Sequence, residues 1–212
     1  MKRVKQIVAV CVVLLTVAGS VSANVTLSFR AISNNSGISA ALAPQFALDV
    51  SDTTDGNILF RLWNHVGIPC SITKVYFENP ESVLTLPGDI TNSAGVNFTS
   101  PTNPGNLPEG NTIGFQTDPF GAGTQGKPKT GIDATDEYVD IRFGLNTTYA
   151  NVEAKLLAAS MRIGIHVQSI NGDTSDSFVT MTPPPSVPAP AAVALGSIGI
   201  ALVGWLRRRN AI

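Results

Sequence analysis

An all-β fold, either an antiparallel sandwich or a jelly-roll-like arrangement with one short helix, is predicted by three features of the 212-residue sequence. Short runs of β-branched and aromatic residues alternate with polar residues at a period of two, as in half-buried strands. Clusters of Asn, Asp, Ser and Gly separate these runs and favour turns. The chain also contains 19 glycines and 14 prolines, which suits many turns better than long helices.

Two segments show the alternation most clearly. In Tyr138–Phe143 the apolar residues share one face of the predicted strand, and Met161–Ile170 repeats the pattern with His166 on its polar face. The other predicted strands are Val25–Ile32, Phe46–Val50, Ile58–Val66, Ile72–Phe77 and Phe178–Met181. The segment Pro101–Gly131 is rich in proline and glycine with few apolar residues, and we expect it to form a long surface loop.

One helix is predicted within the β-rich segment, over Thr148–Ser160. Apolar residues, among them Leu156 and Leu157, recur there at helical spacing. Asn146 or Thr147 is expected to cap its start, because a side-chain oxygen at that position accepts a hydrogen bond from the first turn. The residues from 24 to 182 therefore form one β-rich domain of ordinary size, which we expect to fold outside the cell.

Residues 1–23 have the layout of a secretory signal peptide, which is a helical segment recognised by the translocation machinery. Three basic residues precede the apolar run Ile7–Leu15, and small residues end the segment. We expect signal peptidase to cleave between Ala23 and Asn24. An uncleaved N-terminal anchor is the alternative.

The C-terminal end combines a proline-rich spacer, an apolar segment and a basic tail. Residues 183–190 contain five prolines, which cannot continue a helix. Residues 191–206 are uncharged and would form a membrane helix about 24 Å long, shorter than the roughly 30 Å hydrocarbon core. Residues 207–212 form a tail that the positive-inside tendency places in the cytoplasm. Its basic residues are Arg207, Arg208 and Arg209. A buried core helix is the alternative for the apolar segment.

This three-part ending resembles the sorting tail of PEP-CTERM proteins. The residues that carry the resemblance are Val187, Pro188, Ala189 and Pro190, followed by the apolar helix and the terminal arginines. Ala189 departs from the family pattern, which has glutamate at that position. The resemblance implies a membrane-embedded exosortase as the sorting partner, export by a Gram-negative bacterium, and association with exopolysaccharide or biofilm.

The β-rich segment also resembles the ectodomains attached to some PEP-CTERM proteins. The segments that carry this second resemblance are 58–64, 72–78, 163–170 and 175–179. It implies an all-β module of unassigned activity and supplies no catalytic residues.

The charge distribution argues against nucleic acid as a partner. The net charge is −1, but three basic residues lie at each end of the chain. Between them, 8 basic and 15 acidic residues leave a net charge of −7. An acidic domain repels phosphate, because nucleic-acid binding needs a positive field.

No catalytic constellation is predicted. His65 and His166 are a hundred residues apart and lack metal-ligand spacing. Cys70 is the sole cysteine after signal cleavage, so we expect an inert, partly buried thiol. A nucleophilic Cys70–His65 pair is the alternative. The sequence contains no Walker loop, no GxGxxG after a strand and no GxSxG.

No metal or cofactor is predicted, with a weak calcium site as the alternative. Its candidate ligands are Asp52, Asp55 and Asn57, although their spacing does not match a calcium-binding loop. A second acidic cluster comprises Asp133, Asp136, Glu137 and Asp140. Turn chemistry explains both clusters equally well, and no carboxylate pair for glycoside hydrolysis is selected.

These observations together predict a non-enzymatic, exported protein that is sorted at the cell envelope. It would be held at the membrane by its tail and then reach the cell surface or the extracellular matrix. A secreted carbohydrate-active enzyme or carbohydrate-binding module with a sorting tail is one alternative. An unprocessed bitopic membrane protein is another. Exopolysaccharide is the expected ligand class, although the sequence alone identifies no aromatic platform for it.

Overall fold

The computed structural model describes residues 24–53, 55–65, 67–100, 105–118, 120–125 and 128–182. The predicted signal peptide (1–23), spacer (183–190), membrane helix (191–206) and basic tail (207–212) therefore lie outside the described residues. Among the described residues, no helix has the length and apolar character needed to cross a bilayer.

In the part of the chain that the structure describes, ten antiparallel strands form a single continuous sheet, which confirms the predicted all-β class. Their bounds are β1 Val25–Ala31, β2 Phe46–Asp52, β3 Asn57–Asn64, β4 Ser71–Phe77, β5 Leu84–Asn92, β6 Phe98–Thr99, β7 Gly121–Thr124, β8 Tyr138–Leu145, β9 Ile163–Ile170 and β10 Thr174–Met181. The strand order across the sheet is β5-β8-β3-β2-β1-β10-β9-β4-β7-β6. All of the pairings are antiparallel.

Short helices occupy some of the connections. The α-helices are α1, Ser39–Leu42, and α2, Tyr149–Leu157, and the 3₁₀ turns are Ala43–Gln45, Pro80–Ser82, Gly110–Ile113 and Pro128–Thr130. The helix α2 agrees with the predicted element, but its cap is Thr148 rather than Asn146 or Thr147. The Thr148 side chain accepts a hydrogen bond from the backbone N–H of Asn151. Leu156 is buried as expected, whereas Leu157 is 42% exposed.

The sheet folds over a core of phenylalanine side chains. Phe60 on β3 and Phe77 on β4 lie edge to face with ring centroids 5.2 Å apart, although four strands separate β3 from β4 in the sheet. Phe143 on β8 contacts both rings, at 5.7 Å and 4.8 Å. Strands so distant within one sheet meet face to face only if the sheet curls back on itself. The result is a sandwich-like core enclosed by one sheet.

The two edge strands of the sheet, β5 and β6, are joined by a side-chain amide. Asn92 at the end of β5 accepts a hydrogen bond from the backbone N–H of Phe98 at 2.8 Å and donates one to its carbonyl at 3.0 Å. The amide thereby takes the place of a peptide group in a strand ladder. This contact holds the two edges of the curled sheet together at one corner.

Sequence analysis missed three strands, and each lacks the alternating pattern. Strand β5 contains Pro87 and two irregularities in its register, β6 has only two residues, and β7 is Gly-Ala-Gly-Thr. Strand β7 lies inside the segment Pro101–Gly131 that was predicted to be a loop. A Cβ on Gly123 would lie 3.3 Å from the Lys74 side chain, so β7 packs close to β4 because it has almost no side chains.

The rest of that segment carries two apolar anchors that the prediction overlooked. Leu107 and Phe115 are 2% and 0% exposed and pack with Tyr76 and Val179 in a second, smaller core. A Cβ on Gly164 would lie 2.5 Å from the Leu107 side chain, so only glycine allows this close approach. Residues 105–118 therefore cover the outer side of β4, β9 and β10.

A buried carboxylate fixes the connection between β1 and α1. Asp176 on β10 has no exposed surface, and it accepts hydrogen bonds from the hydroxyls of Ser33 and Ser36 and from the backbone N–H groups of Asn35 and Ser36. Burial opposes ionisation of Asp176, but these hydrogen bonds outweigh it and hold its pKa below the ordinary value. The first strand is thereby tied to the last.

We predict that Asp176→Asn lowers the free energy of unfolding by about 2–3 kcal/mol, because an amide offers one acceptor oxygen where the carboxylate offers two. The lowered pKa means that the native structure stabilises the ionised carboxylate of Asp176 more than the unfolded chain does. Its contribution is therefore complete above about pH 4 and is lost as the pH falls through the lower, native pKa. Urea unfolding between pH 3 and 7 measures both effects.

The matched control for this prediction is Asp173→Asn, because Asp173 is exposed in the neighbouring turn. We expect that substitution to change the free energy of unfolding by less than about 0.5 kcal/mol. An Asp176→Asn protein as stable as the wild type at pH 7 would contradict the structural role of this carboxylate.

Candidate functional site

Cys70 is buried as expected, and its surroundings oppose reactivity. The thiol is 5% exposed and lies 3.1 Å from the side-chain nitrogen of Gln45. Burial raises the pKa of the Cys70 thiol to about 11. His65, the partner proposed for it in a nucleophilic pair, is exposed and instead stacks against Trp63, with ring centroids 6.3 Å apart.

His166 lies half-buried on β9, so its imidazole is less accessible to solvent than its position on a polar face suggested. Its Nδ1 is 3.3 Å from the hydroxyl of Ser177. Burial and the nearby ammonium of Lys74 lower the pKa of His166, against the opposing charge of Asp176. This environment favours a neutral imidazole.

The weak calcium candidates lie in the hairpin between β2 and β3, where Asp55 is already engaged. One of its oxygens accepts hydrogen bonds from the Thr53 hydroxyl at 2.5 Å and the Asn57 amide at 3.0 Å, and the other accepts from Arg142. These three donors lower the pKa of Asp55. Within the described ranges, no three His, Cys, Asp or Glu side chains are grouped to hold a metal ion.

The second acidic cluster is divided between a turn and the sheet. Glu137 accepts hydrogen bonds from the backbone N–H groups of Asp133 and Ala134 at 2.7 Å and 3.0 Å, which is turn chemistry. Burial and the neighbouring Glu137 raise the pKa of Asp133. Asp140 points away from this turn and belongs to the outer surface of the sheet.

Polar, charged and aromatic side chains converge on the side of β1, β2, β3, β8 and β5 that faces away from the core. This surface is here called the outer face. Strand register places five polar residues in one row across these strands, here called the polar row. In strand order its members are Thr26, Asp49, Arg61, Asp140 and Thr91. Paired residues of antiparallel strands share a face, so all five side chains lie on the same side of the sheet.

Two of the neighbouring pairs in the polar row are joined by side-chain hydrogen bonds. The guanidinium of Arg61 binds Asp140 through two parallel hydrogen bonds of 2.6 Å each. This pairing raises the pKa of Arg61. At the other end, the Thr26 hydroxyl donates to Asp49 at 2.6 Å.

An aromatic cluster lies beside the polar row. The rings of Trp63 and Tyr138 occupy paired positions on β3 and β8, and their centroids are 5.2 Å apart. The Arg61 guanidinium lies 4.2 Å from the Tyr138 centroid and 5.5 Å from that of Trp63, within cation–π range. Arg61 therefore interacts with both rings of the aromatic cluster.

The indole of Trp63 is held in place from the neighbouring strand β2. Its Nε1–H donates to Asp49 at 2.7 Å. Ala47, which is paired with Trp63 on β2, has only a methyl group, so the indole can reach past it toward Asp49. Ser28 occupies the next position in the same row on β1. Small side chains therefore border the aromatic cluster on that side.

A shallow depression of about 290 Å³ adjoins the cluster on the same face. Its lining includes Asp89, Thr91, Asp140, Arg142 and the half-buried Leu59. Carboxylate, hydroxyl and guanidinium groups thus surround an apolar patch. The depression and the aromatic cluster form one continuous surface across β3, β8 and β5.

A larger depression, of about 400 Å³, lies at the opposite part of the sheet near Glu78 and Arg162. Its charged lining residues are Asp118 and the ion pair of Glu78 with Arg162. Glu78 binds Arg162 through contacts of 2.7 Å and 2.6 Å, and Arg162 also donates to the carbonyls of Ile113 and Gly114 at 3.0 Å. These bonds fasten residues 105–118 to β9, so we assign this ion pair a structural role.

Comparison of the chain with models of known protein families, with curated proteins and with solved structures finds no match. The function therefore has to be inferred from the chain itself. The outer face was not identified from the sequence as a site. The sequence pattern does not reveal this surface, because Trp63 and Tyr138 lie 75 positions apart and only strand pairing brings them together.

We predict a coupling free energy of about 1 kcal/mol between Arg61 and Asp140, near the upper end for surface pairs because the contact is bidentate. The test is a double-mutant cycle with Arg61→Gln and Asp140→Asn, measured by urea unfolding of the four proteins. The Arg61 side chain is 35% exposed and that of Asp140 only 13%, so solvent screening is partial.

The control cycle uses Lys155 and Glu81, whose single contact is 3.0 Å long and whose carboxylate is 74% exposed. We expect a coupling below about 0.5 kcal/mol there. Equal coupling energies in the two cycles would contradict the anchoring role assigned to Arg61.

Proposed function

We propose that this protein is an exported, non-enzymatic component of the cell surface or extracellular matrix, sorted through its C-terminal tail. In this proposal the signal peptide delivers the chain to the translocation machinery. The domain folds outside, and the apolar segment 191–206 holds it at the membrane. An exosortase-like enzyme then cleaves near Val187–Pro190 and releases the domain to the surface.

The observation that carries this proposal is the position of the fold within the chain. Within the described part of the chain, the first strand begins at Val25, one residue after the proposed mature N-terminus, and the last ends at Met181. A folded domain bounded in this way is a suitable cargo, because removing the spacer and everything after it leaves all ten strands intact.

The non-enzymatic part of the proposal is supported by how the polar groups are used. The thiol of Cys70 is buried with a raised pKa, and the carboxylate of Asp140 is occupied by Arg61. Asp55 likewise accepts hydrogen bonds on both oxygens. Groups engaged in this way stabilise the fold and are poorly placed to act as nucleophiles or general acids.

We predict that the mature protein in its native cells begins at Asn24 and ends near Pro188–Pro190. The measurement is the intact mass of the protein from the cell envelope and from the culture medium. Processing removes both the arginines and the apolar helix, so the released form has a lower mass than the membrane form.

The matched control carries Pro188→Ala together with Pro190→Ala, which removes the proposed motif and leaves the fold and the apolar helix unchanged. We expect this variant to retain its tail and to stay in the envelope fraction. A complete tail through Ile212 in every fraction of the wild type would refute the sorting proposal and favour an unprocessed bitopic protein.

A further inference from the structure

We propose that the outer face binds an uncharged, hydroxyl-rich polysaccharide chain, with Trp63 and Tyr138 as its stacking platform. This inference deepens the proposed function, since it rests on the domain being exported and names the class of ligand that the domain takes. It is carried by three features of the outer face: aromatic rings held by their neighbours, a net negative charge around those rings, and small side chains next to Trp63 on β2 and β1.

The aromatic rings are organised before any ligand arrives. Trp63 is fixed at one end by its hydrogen bond to Asp49 and contacts Tyr138, His65 and Arg61 around its ring. Rings held in this way lose little conformational freedom on binding. Sugar rings present C–H groups on their faces and hydroxyls on their edges, which complements an aromatic surface bordered by polar groups.

The charges of the outer face favour a neutral ligand. Around the depression and the aromatic cluster lie four carboxylates and two guanidiniums, and the exposed Arg30 on the outer side of β1 adds a third cation, which leaves a net charge of −1. The carboxylates are Asp49, Asp55, Asp89 and Asp140, and the guanidiniums are Arg61 and Arg142. Both guanidiniums are already paired, with Asp140 and Asp55 respectively. An anionic polymer would meet net repulsion here, whereas hydroxyls can donate to carboxylate oxygens.

The two halves of the sheet differ in what the described residues place over them. Residues 105–118 cover the outer side of β4, β9 and β10 through Leu107 and Phe115. On the outer face, the residues next to Trp63 on β2 and β1 are Ala47 and Ser28, whose side chains are too short to cover a ring. The five-strand row spans roughly 19 Å at about 4.8 Å per strand, a length suited to an extended polymer.

The binding test uses the full chain purified in detergent and run on native gels that contain a dissolved polysaccharide. The probes are galactomannan and hydroxyethylcellulose as uncharged polymers and alginate as an anionic one. We expect the uncharged polymers to retard migration and alginate to have no such effect. Failure of both uncharged polymers to retard the protein would overturn the inference, as would stronger retardation by alginate.

Site variants locate the binding on the protein. We expect Trp63→Ala to weaken binding about ten-fold or more, as truncation of a central aromatic anchor does at other interfaces. Because that variant also removes contacts that support the fold, Asp89→Ala serves as a second variant at an exposed position of the depression. We expect it to weaken binding several-fold without changing the melting temperature.

The matched control is Leu157→Ala, since Leu157 is an exposed apolar side chain on α2 away from the outer face. Binding unchanged in both Trp63→Ala and Asp89→Ala would overturn the proposed site. This failure is distinct from failure of the sorting proposal, because the mass measurement does not depend on any polysaccharide. Binding by a protein whose tail is never processed would sustain the site and reject the sorting.

Discussion

Burial of Phe60, Phe77 and Phe143 against one another is the constraint on which the rest of the structure depends. Phe60 and Phe143 lie on the neighbouring strands β3 and β8, whereas Phe77 lies on β4, which four strands separate from β3. The contact of Phe77 with both other rings therefore requires the sheet to curl. Because side chains alternate along a strand, burying Phe60 and Leu62 on β3 directs Arg61 and Trp63 outward. The placement of the outer face is therefore a consequence of how the core is packed.

The two halves of the curled sheet use their outer sides differently. On β9, glycine at position 164 admits Leu107, and residues 105–118 form a second small core there. On β3 and β8 the outward residues include Trp63, Tyr138 and the Arg61–Asp140 pair, which contact one another, and among the described residues no segment equivalent to 105–118 packs on them. This asymmetry is the structural basis for placing a ligand surface on one half.

Strong alternation made β3, β8 and β9 predictable, since their apolar residues repeat at a period of two. Strands β5 and β7 were not predictable on the same basis. Register in β5 shifts on either side of Pro87, and β7 pairs through backbone groups with little side-chain burial. Only part of the candidate site could be predicted. The alternation in β8 showed which of its residues face outward, but the pairing of β8 with β3 is a long-range contact. Propensity and periodicity carry no information about such contacts.

The proposed sorting and the proposed ligand make one account, in which the tail determines where the domain resides and Trp63 determines what it contacts. The most direct test is the ¹⁵N–¹H spectrum of the full chain in detergent during titration with galactomannan. The chain has two tryptophans, so the indole of Trp205 in the tail serves as an internal reference, and a Trp63→Phe variant assigns the two signals. The account predicts a progressive shift of the Trp63 indole N–H signal while that of Trp205 stays in place. An unchanged Trp63 signal, with shifts concentrated instead around Glu78 and Arg162, would contradict it.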